Sequence, residues 1–162
     1  MNPTLYSQLP GDAGVFQTVY MMKELVNRNF LHPHIRERAA QIVRHCNRHF
    51  ECEDRSLSSY VNRAVQYVRD PAGVEALHDP VTFFEQRLRS GKRPFGDCDD
   101  MSIYLATLLK SVGHNPKFRV LSRFKNGSFH HVLVFCHGKN LDPSMTFGRQ
   151  PRNPSRAVQI SI

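Results

Sequence analysis

The chain contains no tryptophan, no C-x-x-C pair, no internal repeat and no low-complexity segment. The lack of C-x-x-C removes the simplest dithiol redox motif and the paired-ligand zinc ribbons. Without repeats a solenoid is excluded, and without biased tracts there is no compositional case for disorder. No apolar run approaches the roughly 20 residues that span a bilayer, so no membrane partner is expected. The N-terminal stretch "MNPTLYSQLPGDAG" lacks a basic region followed by an apolar one, so a secretory leader is not expected. Carboxylates are also in short supply. Fourteen Asp and Glu stand against 22 Lys and Arg, a formal charge of +8.

That basic excess is dispersed through "RERAAQIVRHCNRHF", "FFEQRLRSGKR" and "KFRVLSRFKNG". It forms no uninterrupted block and no nucleic-acid motif, so the plainer reading is a solvated basic surface. The sharper reading is contact with an acidic partner. At 162 residues, 40% of them hydrophobic, the sequence predicts one soluble domain spanning 1–162. Cysteines stand at 46, 52, 98 and 136. In a chain of this size with no leader they are expected as reduced thiols in a non-secreted, cytoplasmic setting.

The first part of the chain, 1–66, reads as helical. Val15, Val19, Met22 and Val26 recur at helical spacing, and Pro33 opens a second pattern through Ile35, Ala39, Ile42, Val43 and Cys46. Ser56 is expected to cap a third helix with Leu57, Tyr60, Val61, Ala64, Val65 and Val68 on one face, ended by Asp70-Pro71-Ala72-Gly73. A shorter helix is predicted over Val81 to Arg89. The clearest is "CDDMSIYLATLLKSVG", with Met101, Tyr104, Leu105, Leu108 and Leu109 on its buried face and Gly113 as its stop. After Pro116 the character changes. "KFRVLSRF" and "FHHVLVFC" read as strands joined by a tight turn at Asn126-Gly127, with a second turn at Gly138. "KNLDPS" adds a short strand, "GRQPRNPSR" a loop, and "AVQISI" an edge strand. Helices first and antiparallel strands later predict an α+β fold, with the cysteine-bearing helix packed on a C-terminal sheet.

Three residues assemble a chemistry. Gly96 is expected to let the backbone turn tightly, and Asp97 to cap the helix, which sets Cys98 in its first turn. There the helix dipole favours a thiolate. Asp99 and Asp100 compete for the same potential, weakly if they are exposed. Histidine comes from "SFHHVLVF", where alternation puts His130 and His131 on opposite faces. Asp142, eleven residues after His131, is placed to orient an imidazole after the next turn.

"GDCDDMSIYLATLLKSVGHNPKFRVL", "HVLVF" and "LDPS" together resemble the core of the transglutaminase-like superfamily, over about Tyr67 to Met145. The resemblance implies a circularly rearranged papain-like fold, with 67–145 as its catalytic core and 146–162 as a loop and edge strand. It also implies a Cys98–His131–Asp142 triad of nucleophile, general base and acid, and orienting carboxylate. It selects His131 over His130, because the family's histidine opens an H-V/A-W-V-type strand. The aromatic two residues past that histidine is Leu133 here. With no Trp in the chain, that departure weakens protein crosslinking more than thiol hydrolysis. The compact form with "YVRDP" upstream also looks like proteins encoded by tailed phages and prophages.

The activity so implied is acyl transfer from a peptide or carboxamide, with water making a peptidase or amidase and an amine a transglutaminase. Basic loops near the site suit an acidic peptide or wall-derived substrate. No cofactor and no metal are expected. A zinc site at "RHCNRHFEC", from His45, Cys46, His49 and Cys52, is disfavoured because His45 and Cys46 cannot share one helical stripe. The competing class is a non-catalytic structural or binding component that retains the fold, for example assembled into a phage particle.

Overall fold

In the computed structural model, which describes residues 4–6, 9–71, 75–122, 124–145 and 154–162, the apolar spacing of the first part folds as three helices. Helix α1 (Gly11–Asn29) buries Val19, Met22, Leu25 and Val26. Helix α2 (Pro33–Val43) begins with proline, whose missing N–H is unneeded there, and turns Ile35 and Ala39 inward. It does not continue through the basic stretch. A 3-10 turn at Arg44–Cys46 ends it, and Asn47 and Arg48 take left-handed φ values of 50° and 62°.

That reversal corrects two expectations. Helix α3 (Phe50–Ala64) starts six residues before the expected cap, with Glu51 and Glu53 at the positive end of its dipole and Ser56 inside it. It also stops early, so Val68 is exposed instead of buried; Ala72 and Gly73 lie outside the described residues. The same reversal folds Cys46 back over the first turn of α3, where it forms a disulfide with Cys52. Two of the four expected reduced thiols are therefore paired, and Cys98 and Cys136 remain free.

Helix α4 (Pro80–Ser90) is capped by Asp79, whose Oδ1 accepts the Val81 N–H at 2.9 Å. Its Oδ2 accepts Asn29 Nδ2 at 2.9 Å, which ties the end of α1 to the start of α4. Two small ribbons escape the sequence pattern. Strand β1 (Thr4–Tyr6) pairs antiparallel with β3 (Glu75–Leu77), and β2 (Gln66–Tyr67) pairs parallel with β4 (Phe95–Gly96).

Helix α5 (Cys98–Ser111) is the centre of the architecture. Every residue from Asp100 to Leu109 is buried, because four helices and the sheet surround it. The expected single apolar face was thus too narrow. Leu105, Leu108 and Leu109 each contribute about 1.5–3 kcal/mol relative to exposure.

The sheet beneath it runs β7-β6-β5-β8, antiparallel throughout: β5 (Lys117–Ser122), β6 (His131–Cys136), β7 (Lys139–Leu141) and β8 (Arg156–Ser161). His137 and Gly138 close the β6–β7 hairpin with φ of 48° and 76°, the left-handed pair that a two-residue turn requires. The β5–β6 connection is wider than the expected Asn126-Gly127 turn. Ser122 Oγ accepts the Phe124 N–H and donates to the carbonyls of Phe124 and Gly127, holding a broader loop. Residues 146–153, expected as a loop, lie outside the described residues. The fold is α+β. Among the described residues no helix is long and apolar enough to cross a membrane.

Candidate active site

The backbone entering α5 is shaped by contact, not by a tight turn. Gly96 lies in extended β4, and a Cβ there would sit 2.9 Å from Asp100 Cβ, from Asp100 Oδ2 and from Phe83 Cζ. Glycine is needed for close approach, which corrects the turn expected of it. Asp97 then caps the helix, its Oδ1 accepting the N–H groups of Asp99 at 3.0 Å and Asp100 at 3.4 Å. Cys98 is the first residue of α5.

Cys98 and His131 open on one cavity of about 1200 Å³, with Asp142 behind the imidazole. His131 Nε2 donates to Asp142 Oδ2 at 2.7 Å. His130 is exposed. Asp142 is almost fully buried, and its Oδ1 accepts the Ser144 N–H at 3.0 Å and the Ser144 hydroxyl at 2.6 Å. Burial works to raise its pKa, but the bonds from His131 and Ser144 hold the carboxyl below its usual range. Asn62 Nδ2 donates to the Pro143 carbonyl at 3.0 Å, so α3 anchors the loop. Ser144 escaped the sequence reading, although Asp-Pro-Ser carries the pattern of an Asx turn.

The thiol is not hydrogen-bonded to His131. It donates to Asp99 Oδ1 at 3.4 Å, while the Val132 N–H reaches the sulfur from β6. The carboxylates around it are not the exposed first-turn groups expected. Asp97 and Asp100 are buried and Asp99 is half-buried. Burial, then Asp99 and Asp97, push the Cys98 thiol far above its ordinary value. Burial and the neighbouring Asp100 and Asp70 push Asp97 up to about 7. Burial, Asp97 and Glu75 raise Asp99 well above the carboxylate range. Glu75 of β3 lies beside Asp99, and burial raises its carboxyl as well.

Glu75, Asp97 and Asp99 form one wall of the cavity, and Val15, Tyr67, Phe129 and Met145 contribute its apolar side. The immediate neighbours of the thiol are acidic, although the protein is basic overall; Arg69 also lines the cavity, and most of the basic stretch "GRQPRNPSR" lies outside the described residues. Glu75 could not have been found from local sequence, because β3 is brought to the site by long-range contacts: its pairing with β1 and the His78–Asp100 bonds that follow it. At "RHCNRHFEC" the two sulfurs are bonded to each other, and His45 Nε2 lies 3.6 Å from Cys46 Sγ and 3.4 Å from Ser56 Oγ.

Substituting Asp99 with Asn keeps the size of the side chain and removes its charge. The expected result is an increase of about tenfold in the rate of Cys98 alkylation by iodoacetamide at pH 7, as the thiolate fraction rises. An unchanged rate would show that burial alone governs the thiol. No family model, curated protein or solved structure matches the chain.

Proposed function

We propose that the protein is a cysteine acyl-transfer enzyme of the transglutaminase-like kind, acting as a peptidase or amidase through Cys98, His131 and Asp142. The observation that carries this reading is the buried Asp142 bonded to His131, at a cavity that also holds a thiol at a helix N-terminus. With Nε2 committed to Asp142, Nδ1 is the ring nitrogen left to accept a proton.

The resting thiol is neutral and turned to Asp99, so the pair is not a preformed ion pair. As the substrate carbonyl enters, His131 takes the thiol proton while the sulfur–carbon bond forms. The positive end of α5 faces the developing oxyanion. The imidazolium returns that proton to the leaving amine, and a thioester remains on Cys98. Water then yields the acid, with His131 again the base; an amine would instead yield a new amide. The acidic wall favours a peptide that is neutral or cationic beside the scissile bond, and the apolar side accepts a hydrophobic neighbour.

A second reading, a non-catalytic structural or binding component retaining the fold, draws on the thiol–Asp99 bond, which holds the nucleophile at rest. Fluorogenic peptide amides with Lys or Glu beside the cleaved bond separate the two. The enzyme reading expects turnover of the Lys series, an acyl adduct on Cys98 by mass spectrometry, and loss of both in Cys98→Ala. Absence of turnover and adduct across both series would leave the non-catalytic reading.

A further inference from the structure

Of the proposed triad, His131 and Asp142 stand at the open end of the β6–β7 hairpin, and Cys98 lines the same cavity from α5. The closed end of the hairpin gathers a different set of side chains. Cys136, the last residue of β6, is buried, and the turn residue His137 follows it. At about 3.4 Å per residue, five steps along β6 separate Cys136 from His131 by roughly 17 Å. Against this end packs the first turn and a half of α3, which supplies two consecutive buried carboxylates, Glu53 and Asp54.

Each of those carboxylates faces a histidine, although the chain has 22 Lys and Arg to offer. His137 Nδ1 donates to Asp54, with Oδ1 at 3.1 Å and Oδ2 at 3.0 Å. His114 Nε2 lies 2.6 Å from Glu53 Oε2, but without the alignment of a hydrogen bond. The two imidazoles stand perpendicular, 4.6 Å between centroids, and the Phe50 ring packs 4.8 Å from that of His137. Asp54, Cys136 and His137 each bring a ligand atom within 4.8 Å of the others.

His137 is also conspicuous for where it stands. Its φ of 48° belongs to a turn position that Asn, Asp or Gly fills with least strain. A histidine there is accounted for by what its ring does. With Nδ1–H given to Asp54, Nε2 keeps its lone pair, and that atom is 3.9 Å from Cys136 Sγ.

We propose that this cluster is a binding site for a divalent metal of the zinc class, with Cys136 Sγ and His137 Nε2 as ligands and Asp54 as the carboxylate that orients the imidazole. Metal–sulfur and metal–nitrogen bonds of about 2.3 and 2.0 Å at a tetrahedral angle put the two donors roughly 3.5 Å apart, a little closer than the 3.9 Å present. The Asp54–His137 bond is the outer-shell contact that fixes which nitrogen binds metal. The partly exposed edge of His137 leaves an entry path and positions for solvent, with the His114 ring standing perpendicular beside it. A thiol and an imidazole together select a borderline-soft ion over calcium or magnesium.

Binding exchanges one proton for the metal. The Cys136 S–H bond breaks, the sulfur–metal bond forms, and the proton leaves to solvent. Without metal, burial and then Asp54 push this thiol up to about 12, although the backbone N–H groups of Asn115 and His137 point at the sulfur. A bound dication reverses that balance, because a coordinating thiol is deprotonated outright. Its structural effect is to hold the end of β6 and the turn residue together, while the Asp54–His137 bond links that turn to α3.

The test uses the full chain without reductant, so that Cys46–Cys52 stays closed, in a Cys98→Ser background where Cys136 is the one free thiol. Titration with Co(II) is expected to give one equivalent of binding with a thiolate-to-cobalt charge-transfer band, displaced by Zn(II). Cys136→Ser is expected to abolish the band. His137→Asn, which suits the turn and preserves folding, is expected to weaken Co(II) affinity at least tenfold. A band that survives Cys136→Ser, affinity unchanged in His137→Asn, or no band at saturating Co(II) would each overturn the proposal. None of these readouts depends on amide turnover, so this site and the triad can fail separately.

Discussion

Replacing Asp142 with asparagine is expected to lower kcat for amide hydrolysis by about three to four powers of ten while leaving KM nearly unchanged. The reason lies in how its two oxygens are used. Oδ1 is held by the two donors of Ser144, and Oδ2 receives the His131 Nε2–H. In Asp142→Asn the side-chain oxygen keeps the Ser144 donors, and the amide nitrogen is left facing Nε2. Two donors cannot face each other, so Nε2 must become the acceptor and the ring proton moves to Nδ1. That is the nitrogen the mechanism needs bare to take the thiol proton. Asp142 is thus a positioning residue, and its loss reads in kcat. A variant that retained wild-type kcat would remove Asp142 from the mechanism.

The same substitution also changes the acid limb of stability. Asp142 has a folded-state pKa below its unfolded value, about 3.9. Its contribution is therefore complete above that unfolded value and is lost as pH falls through the depressed one. Asp142→Asn should flatten this part of the stability profile, measured by denaturant unfolding between pH 2 and 5.

What could be read from the residues was what short-range rules control. The Asp97 cap, the start of α5 at Cys98, the Gly113 stop, the Gly138 turn and the edge position of β8 each follow from a few neighbouring side chains. So did the approach of His131 to Asp142, because the hairpin returns the chain to Leu141 opposite Val134, and Asp142 follows on toward the start of β6. Most of the features that escaped are long-range or depend on one unusual backbone conformation. β1–β3 and β2–β4 are two- or three-residue pairings with no periodicity to detect. The Cys46–Cys52 bond depends on two left-handed residues, Asn47 and Arg48, of which only Asn favours that conformation. Burial of the aspartates around Cys98 is set by β3 and α4 closing over the helix start. Composition could not reveal that, since the net charge of +8 describes the whole surface and not one cavity.

The largest stability effect is expected at Asp100. Its side chain is fully buried, Oδ1 accepting the His78 N–H and Oδ2 the His78 Nδ1–H, both at 2.8 Å. Gly96 packs against the same carboxylate, and the Asp100 N–H is taken by the Asp97 cap, so this residue joins the α4 entry, β4 and α5. Asp100→Ala strands two donors of a mostly buried histidine and should cost about 3–5 kcal/mol. Asp100→Asn keeps an acceptor for the backbone N–H and leaves a neutral His78 able to accept from the new amide. Its cost should fall nearer 1–3 kcal/mol. The hydrogen bond to Asp100 is the main cause of the raised His78 pKa; burial opposes it, and Asp70 and Asp97 add to it. A histidine whose folded pKa is raised contributes fully below its unfolded value, about 6.5, and loses that contribution as pH rises through the folded value. The Asp100→Ala penalty should therefore be larger at pH 5.5 than at pH 9, measured by urea unfolding at each pH. An equal penalty at both would mean that His78 is neutral throughout, and that Asp100 acts only as an acceptor at the head of α5.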